Sequence, residues 1–439
     1  MSMTKSKELF EKANVFVPGG VHSNSRFRNP HPIYFQKGDG AFIEDIDGNT
    51  YIDCVMGNGS IILGHNDSDF NERMTTYCSS GIVTGLETEL SIKAAQKFLS
   101  FVTTAEQVRF TNTGTEAIMH AMMMARVSTG KTDIAVIEGA YNGWHDAVFV
   151  STWPDLTQAG GSSSPRSLPG SPGLIQETVQ STLVLPFNDL ETAERLLTQN
   201  QHRISALIIE PTMIDIGYIP AKKEYLTGLR MICDNLNILL IFDELLTGFR
   251  VSPGGAQGYY GVIPDLSTFG KAISNGYMLA ALAGKADIFK TVTPGIGNCS
   301  FVGTYNGHQI SLAASMSFME LYEEKQVFKI LQQRTEKLIS EFKRLGEKHG
   351  VATKIQGRGG HFQWYFTDQE LNNYRDAAST NKEEYVAFHT KLSEKGVYCS
   401  PNYLLHHAIS FAHNDQVLNQ LTTYMDESLK QTVEVNARS

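Results

Sequence analysis

Short apolar runs alternate with stretches of helical composition through the middle of the chain. Between the apolar runs, segments such as 191–197 and 224–234 favour helix. The apolar runs of strand length are 134–137, 182–185, 206–210 and 238–243. Because strands that alternate with helices build parallel sheets with right-handed crossovers, this order predicts an α/β fold with a mostly parallel central sheet flanked by helices. Residues 159–173 are rich in Gly, Ser and Pro, a composition that predicts an irregular loop.

The two ends of the chain show a different pattern. Near the N-terminus, short apolar pairs alternate with Gly and Asp turns such as 47–49, which predicts a small antiparallel meander. Helical periodicity returns at 310–323, where the composition changes. We therefore predict an N-terminal arm or cap at 1–70, a large domain at 71–310 and a small C-terminal domain at 311–439.

Composition narrows the classes of protein to which the chain can belong. It has 439 residues, 41% hydrophobic and 19% charged, enough to bury a large core. A formal net charge of −9 argues against a nucleic-acid-binding surface, which needs clustered Lys and Arg. The five cysteines lack CxxC or metal-ligand spacing, so neither a disulfide framework nor a metal site is predicted. Since the N-terminus has no apolar leader and no apolar run approaches the roughly 18 residues of a membrane span, we expect a cytoplasmic protein without membrane contact.

Two strand ends carry the groups that a cofactor site needs. The apolar run 238–242 ends in Asp243, and the run 266–269 leads through Gly270 to Lys271. A buried sheet presents such groups from the carboxyl ends of its strands, so the two side chains are expected to meet. An aspartate opposite a ring nitrogen and a lysine amine that bonds to a carbonyl are what a protein supplies to pyridoxal phosphate. The pair therefore predicts a pyridoxal phosphate site.

Further positions fit the same cofactor. Gly114 and Thr115 begin a predicted helix, whose first backbone N–H groups are free to bind an anion such as phosphate. Tyr141 follows a strand and is either a core aromatic or a ring that stacks on the cofactor. Glu210 ends another strand. Arg26 is followed two residues later by a second arginine. It is either a residue of a solvated loop or a cationic side chain that binds a substrate carboxylate.

The order of these residues is that of a known family. The chain resembles the class III pyridoxal-phosphate aminotransferases, and most of all their glutamate-1-semialdehyde aminomutase branch, over nearly its whole length. The motifs that carry the resemblance are Pro18-Gly-Gly-Val21, Asp45-Ile-Asp-Gly48, Ile62-Leu-Gly-His65, Thr113-Gly-Thr-Glu-Ala117, Glu210-Pro211, Asp243-Glu244, Thr247-Gly-Phe-Arg250, Pro264-Asp265 and Gly270-Lys271. The resemblance implies fold type I of the pyridoxal-phosphate-dependent transferases, with a small α/β domain formed by the chain ends.

The same resemblance implies a role for each cofactor residue. Lys271 would hold pyridoxal phosphate covalently and then move the proton between substrate and cofactor, while Asp243 would keep the ring nitrogen protonated. Gly114 and Thr115 would hold the phosphate, and Tyr141 would stack on the ring. The other expected cofactor contacts are Glu210, Asp215 and Leu245.

Substrate and subunit contacts are implied in the same way. Ser23, Arg26 and Asn58 fall on positions of the family's substrate pocket, and Arg26 on the one where the aminomutase branch holds the substrate carboxylate. Thr304 matches a position that reaches the phosphate from the neighbouring subunit. The resemblance therefore implies a homodimer and a carboxylate-bearing substrate, with no metal.

The pocket departs from the aminomutase pattern at several positions. An expected Trp-Gly is Asn58-Gly59, an expected Asn is Asp215, and an acidic residue expected after the C-terminal Ser-Pro falls near Leu405. The His that often follows the stacking aromatic is Asn142. A carboxylate at position 215 would repel the cofactor's phenolate oxygen unless it were protonated or turned aside, so the role of Asp215 stays open.

These departures decide the order of the functional hypotheses. Because Lys271 and Asp243 are both present, a non-catalytic descendant is disfavoured. The altered pocket favours ping-pong transamination between a carboxylate-bearing amino acid, with a β- or ω-amine, and an oxo acid or aldehyde. The alternative is an aminomutase of the glutamate-1-semialdehyde type, which returns the amine to the same molecule. A pyridoxal-phosphate-dependent amino acid racemase or epimerase is third.

Overall fold

The computed structural model describes residues 3–79, 81–82 and 84–436. Its strands are β1 (Phe35–Asp39), β2 (Phe42–Asp45), β3 (Thr50–Asp53), β4 (Gln107–Thr111), β5 (Asp133–Ile137), β6 (Gly160–Gly161), β7 (Ser164–Pro165), β8 (Thr182–Leu185), β9 (Ile204–Ile209), β10 (Thr212–Met213), β11 (Ile219–Pro220), β12 (Leu239–Glu244), β13 (Leu266–Phe269), β14 (Ala280–Gly284), β15 (Lys354–Arg358), β16 (His361–Tyr365), β17 (Val397–Tyr398) and β18 (His407–Ala408). Its helices are α1 (Thr4–Phe16), α2 (Ser68–Cys78), α3 (Glu89–Phe101), α4 (Gly114–Thr129), α5 (Gln176–Gln180), α6 (Leu190–Asn200), α7 (Lys223–Leu236), α8 (Gly255–Tyr260), α9 (Ala286–Phe289), α10 (Gln309–Glu324), α11 (Val327–His349), α12 (Tyr374–Ala378), α13 (Lys382–Glu394) and α14 (Asp415–Asn436).

A seven-stranded sheet lies at the centre of the described chain, in the order β4-β14-β13-β12-β9-β5-β8. The pairs β13/β12, β12/β9, β9/β5 and β5/β8 are parallel. Strand β14 is antiparallel to both β13 and β4, a direction that its apolar run does not reveal. The predicted α/β fold with a mostly parallel central sheet is therefore confirmed.

Burial on both faces explains why the central strands are continuous apolar runs. All of β9 is buried, and so is β12 from residue 240 to 244. Helix α7 packs beside β12 and buries Tyr225, Leu226, Leu229 and Cys233. That helical spacing places the apolar side chains on one face, which is typical of a helix covering a sheet.

The two chain ends meet in one small sheet. Strands β1, β2 and β3 form the predicted antiparallel meander, and β17 pairs in parallel with β3 through Val397↔Ile52 and Tyr398↔Asp53. A further sheet, β15-β16-β18, and helices α11, α13 and α14 complete this part of the molecule. The implied small α/β unit built from both chain ends is confirmed, whereas the boundaries near residues 70 and 310 remain proposals.

The Gly- and Ser-rich stretch 159–173 is more ordered than predicted. Strands β6 and β7 pair as a short antiparallel hairpin. Nη2 of Arg195 donates to the carbonyl of Ser163 at 2.6 Å, and Nη1 of Arg375 donates to the carbonyl of Gly160 at 3.0 Å. The prediction of an irregular loop was wrong here, because donors from distant helices satisfy backbone groups that composition alone leaves unaccounted for.

Among the described helices, none combines the length and apolar character needed to cross a bilayer. The same part of the chain holds no group of three or more His, Cys, Asp or Glu side chains arranged for a metal ion. The five cysteines are free thiols.

Candidate active site

Parallel pairing brings Asp243 and Lys271 to one edge of the central sheet. Strands β12 and β13 pair Asp243 with Thr268, so the carboxyl ends of both strands lie side by side. The backbone of Lys271 has a left-handed φ of 49°, which turns the chain from β13 into a single helical turn. The charge of Lys271 acts on Glu210, Asp215 and Asp243. The structure therefore brings the predicted lysine and acids together.

Asp243 is a buried carboxylate held by neutral donors, and only 2% of it is exposed. Nδ2 of Asn142 donates to its Oδ2 at 2.9 Å, and the backbone N–H of Leu245 donates to its Oδ1 at 3.1 Å. Burial raises the pKa of Asp243, although both hydrogen bonds and the charge of Lys271 oppose that rise. A cation placed next to this buried carboxylate would stabilise its ionised form.

Glu210 and Asp215 respond differently to the same surroundings. Burial raises the pKa of Glu210 well above its ordinary value, and the charges of Asp215 and Asp243 raise it further. Burial also raises the pKa of Asp215, but the charge of Lys271 and the neighbouring His406 outweigh this effect and lower it overall. Because the pKa values of neighbouring acids diverge, Glu210 favours its neutral form while Asp215 favours its carboxylate.

Tyr141 lies among these acids with its ring fixed by aromatic neighbours. Its ring is parallel to that of Trp153, at 5.8 Å between centroids and 6° between planes, and meets Phe149 edge-on. Nε1 of Trp153 donates to the carbonyl of Asp215 at 3.3 Å. Burial raises the pKa of Tyr141, and the charges of Asp215 and Asp243 add to the rise. The phenol therefore stays protonated and presents a neutral, fixed ring.

Leu245 fills the space between two glycines of the site. A Cβ on Gly114 would lie 2.5 Å from Cδ1 of Leu245, and one on Gly270 would lie 2.4 Å from its Cδ2. The start of α4 and the residue before Lys271 thus both approach Leu245 as only glycine allows. The hydroxyl of Thr115, in the first turn of α4, accepts the backbone N–H of Trp144 at 3.0 Å. These contacts fix the helix start beside the lysine.

Gly114→Ala is expected to weaken the binding of pyridoxal phosphate. The added methyl would overlap Leu245, and overpacking of this kind costs about 1–3 kcal/mol, so we expect Kd to rise about tenfold or more. Titration of the apoenzyme with the cofactor, followed by absorbance, measures the change. Gly161→Ala is the matched control, since nothing lies within 4 Å of its added carbon. Leu245→Ala in the Gly114→Ala background should restore affinity, and unchanged affinity in Gly114→Ala alone would contradict this role.

The residues predicted for the substrate and for the neighbouring subunit lie at the surface. Ser23, Arg26, Asn58 and Thr304 are all exposed. Within the part of the chain that the structure describes, no hydrogen bond or ion pair joins them to Lys271 or to the buried acids. Their roles remain predictions.

Three residues without a predicted role contribute to the site. Asn142 binds Asp243, Trp153 stacks on Tyr141, and His406 lies against Asp215 with Nδ1 at 3.4 Å from Oδ1. For Asn142, the sequence offered one indication of a role, namely its position directly after the candidate stacking residue Tyr141. Trp153 and His406 reach the site from other segments, and no local pattern indicated them.

The site fits pyridoxal phosphate on two observations. The hydrogen-bond donors to Asp243 are neutral and its pKa is raised, so a protonated ring nitrogen would supply a cationic donor that the described residues do not provide. Oδ1 of Asn142 is buried without a hydrogen-bond partner among the described residues, which marks an unsatisfied polar position beside Asp243. Lys271, Asp243, Tyr141 and the start of α4 at Gly114 would together hold the cofactor.

Comparison with known proteins leads to the same family. Residues 23–429 match the sequence profile described as Aminotransferase class-III. A glutamate-1-semialdehyde 2,1-aminomutase from Methanocaldococcus jannaschii is 35% identical over 428 residues, which are 97% of this chain and 98% of that protein. Among solved structures, an omega-transaminase from Sphaerobacter thermophilus is 30% identical with a TM-score of 0.93, covering 98% of this chain and 97% of that one. A transaminase with PLP bound is 27% identical, with a TM-score of 0.90 and full coverage of both chains. The chain therefore belongs to the class III aminotransferases and is an enzyme that uses pyridoxal phosphate.

Proposed function

We propose that this enzyme moves an amino group on a small amino acid that carries a carboxylate, and that its reaction is an aminomutation of the glutamate-1-semialdehyde type. The aminomutase from M. jannaschii, at 35% identity over nearly the whole chain, favours this reaction over the transamination that the sequence analysis ranked first. The observation that carries the amino-transfer chemistry is the meeting of Lys271 and Asp243 at one edge of the sheet.

The chemistry is divided among few side chains. Bound pyridoxal phosphate would supply a carbonyl carbon that can take up the amino group and an attached ring that accepts electrons. Lys271 would supply the amine that bonds to the cofactor and, once released, would carry a proton to or from the substrate carbon. Asp243, fixed by Asn142, stabilises positive charge on the ring nitrogen. Because Asp243 is buried, this ion pair is stronger than it would be in water.

Intermolecular transamination is the second candidate, and it is favoured by the pocket's own residues. Asn58 replaces an expected aromatic wall, and Leu405 stands near the position of an expected acid. Asp215 lies against His406. A pocket altered in this way suits a different amino donor, and the omega-transaminase from S. thermophilus is 30% identical to this chain.

A half-reaction panel separates the two reactions. Purified holoenzyme is mixed with glutamate-1-semialdehyde and with α-, β- and ω-amino acids, while the cofactor's visible absorbance is followed and the carbon product is identified. An isomerised amino product without lasting loss of the pyridoxal form supports the aminomutase. Conversion to pyridoxamine phosphate with release of an oxo acid supports transamination. Inversion of a stereocentre without amine transfer would contradict both and establish a racemase or epimerase.

Arg26→Ala is expected to weaken carboxylate-bearing substrates far more than plain amines. We propose that the exposed guanidinium binds the substrate carboxylate, and loss of a charged hydrogen-bond partner costs about 1.5–3 kcal/mol, or about 10- to 100-fold in kcat/KM. The measurement compares kcat/KM for an amino acid and for the matching amine. Arg195→Ala is the control, because Arg195 donates to a backbone carbonyl of the 159–173 hairpin. Equal losses for both substrates in Arg26→Ala would mean that Arg26 is structural.

We also propose that the enzyme is a homodimer and that it works in the cytoplasm. The resemblance implies that Thr304 reaches the neighbouring subunit. Val302 and Tyr305, beside it, are 75% and 58% exposed, an apolar surface that a second copy would cover.

A further inference from the structure

Two buried histidines contact each other, and one of them, His406, lies against Asp215. His361 begins β16, and His406 directly precedes β18, which pairs with β16. Their rings meet edge-on, with 4.7 Å between centroids and 79° between planes. Nδ1 of His406 lies 3.4 Å from Oδ1 of Asp215, in ion-pair range but without the alignment of a hydrogen bond. The fold therefore places the ring of His406 against an acid of the cofactor site, with the ring of His361 edge-on behind it.

The imidazole of His406 has few hydrogen-bonding partners. His361 is fully buried and interacts with the backbone of His407, whereas His406 is 6% exposed and neither of its ring nitrogens has a well-aligned hydrogen-bond partner among the described residues. An unpartnered buried polar group costs about 1–3 kcal/mol, so a natural chain keeps one where it serves the site. For His406, the polar group within reach is the carboxylate of Asp215.

The interactions around the pair make His406 the partner of Asp215 on this side. Burial and the charge of Arg250 lower the pKa of His361 well below its ordinary value, so His361 is a neutral neighbour. On the other side, the charge of Lys271 and the contact with His406 lower the pKa of Asp215. The titratable groups that interact with the pair are Lys271, Glu210, Asp243, Tyr141, His361 and His407.

We propose that His406 is a positioning residue that holds Asp215 as a carboxylate within electrostatic reach of Lys271, and that the pair thereby controls the proton on the cofactor-bound nitrogen of Lys271. This answers the question left open at position 215, where the expected residue is an amide. A carboxylate turned towards His406 keeps its charge without facing the cofactor directly. The inference rests on the cofactor site and holds for either candidate reaction.

The test is a pH titration of the holoenzyme's visible absorbance, which needs no substrate. The nearby carboxylate favours the protonated, cationic nitrogen of Lys271, so Asp215→Asn should lower the midpoint by about 1 pH unit. In His406→Leu, Asp215 loses the partner that keeps it ionised and takes up a proton, so the midpoint should fall in the same direction. His406→Gln, whose amide can still donate to Asp215, should recover part of the shift.

Double variants show whether His406 acts by positioning Asp215 or only by packing in the core. If His406 acts through Asp215, adding His406→Leu or His406→Gln to Asp215→Asn should move the midpoint no further. His413→Gln is the control, because that buried imidazole contacts the hydroxyl of Ser410 at 3.0 Å, does not interact with Asp215, His406 or Lys271, and should leave the midpoint unchanged. An unchanged midpoint in His406→Leu, or an equal shift with and without Asp215, would overturn the proposal. Should the Leu variant fail to fold, the Gln variant in both backgrounds carries the same test. A wild-type protein without visible absorbance would instead contradict the cofactor site.

Discussion

Replacing Lys271 by Ala is expected to remove both the turnover and the visible absorbance of the holoenzyme. Lys271 leaves β13 at the carboxyl edge of the sheet, within electrostatic reach of Asp243, Asp215 and Glu210. In the proposed role its amine would both bond to the cofactor and carry the proton, so kcat should fall by about 10²–10⁴-fold or more. Absorbance spectra of the reconstituted protein and single-turnover rates measure the two effects.

A second substitution separates the chemistry of Lys271 from its charge. Lys271→Ala removes the cation that lowers the pKa of the three neighbouring acids. Lys271→Arg keeps that charge, but its guanidinium does not bond to the cofactor's carbonyl, so it should be as inactive while staying closer to wild type in thermal stability. Lys290→Ala, at an exposed lysine, should change neither property. A Lys271→Ala protein with wild-type absorbance and turnover would refute the assignment.

The residues that could be predicted from the sequence are those that a strand itself positions. Asp243 lies in β12 near its carboxyl end, and Lys271 follows β13, so parallel pairing alone brings them to one edge. Tyr141 follows β5 in the same way. Gly114 starts α4, as the turn before a strong helix indicated. In each case a local pattern places the residue at the end of a strand or the start of a helix, and the pairing of the strands brings these ends together.

Contacts between distant segments could not be predicted in this way. Asn142 reaches Asp243 across 101 residues of chain, and Trp153 reaches the backbone of Asp215 across 62. Nothing in the sequence around a polar side chain states which distant group it will meet. His406 is a clear case, because the resemblance implies an acid near Leu405, whereas the adjacent histidine is the residue that lies against Asp215.

Asp243→Asn is expected to lower kcat by about 10²–10³-fold while leaving the fold intact. The amide has nearly the shape of the carboxylate, and its oxygen can still accept the backbone N–H of Leu245. It carries no negative charge, however, so the proton on the ring nitrogen loses the partner that holds it. Single-turnover rates of the amino-transfer half-reaction measure the effect. Visible absorbance should persist, because the proposed bond from Lys271 to the cofactor and the proposed phosphate contacts at the start of α4 would both remain.

Asn142→Ala distinguishes the charge of Asp243 from its placement. This variant keeps the carboxylate but removes a hydrogen bond that lowers the pKa of Asp243, so the pKa rises. A protonated Asp243 cannot stabilise a cation, so the loss of activity should grow as the pH falls. At high pH the carboxylate is restored, and the rate should approach that of the wild type. Asp243→Asn has no such recovery, because an amide does not ionise. If Asn142→Ala lost activity equally at every pH, the hydrogen bond would act by orienting the carboxylate. If Asp243→Asn kept wild-type rates, the ion pair with the ring nitrogen would be excluded.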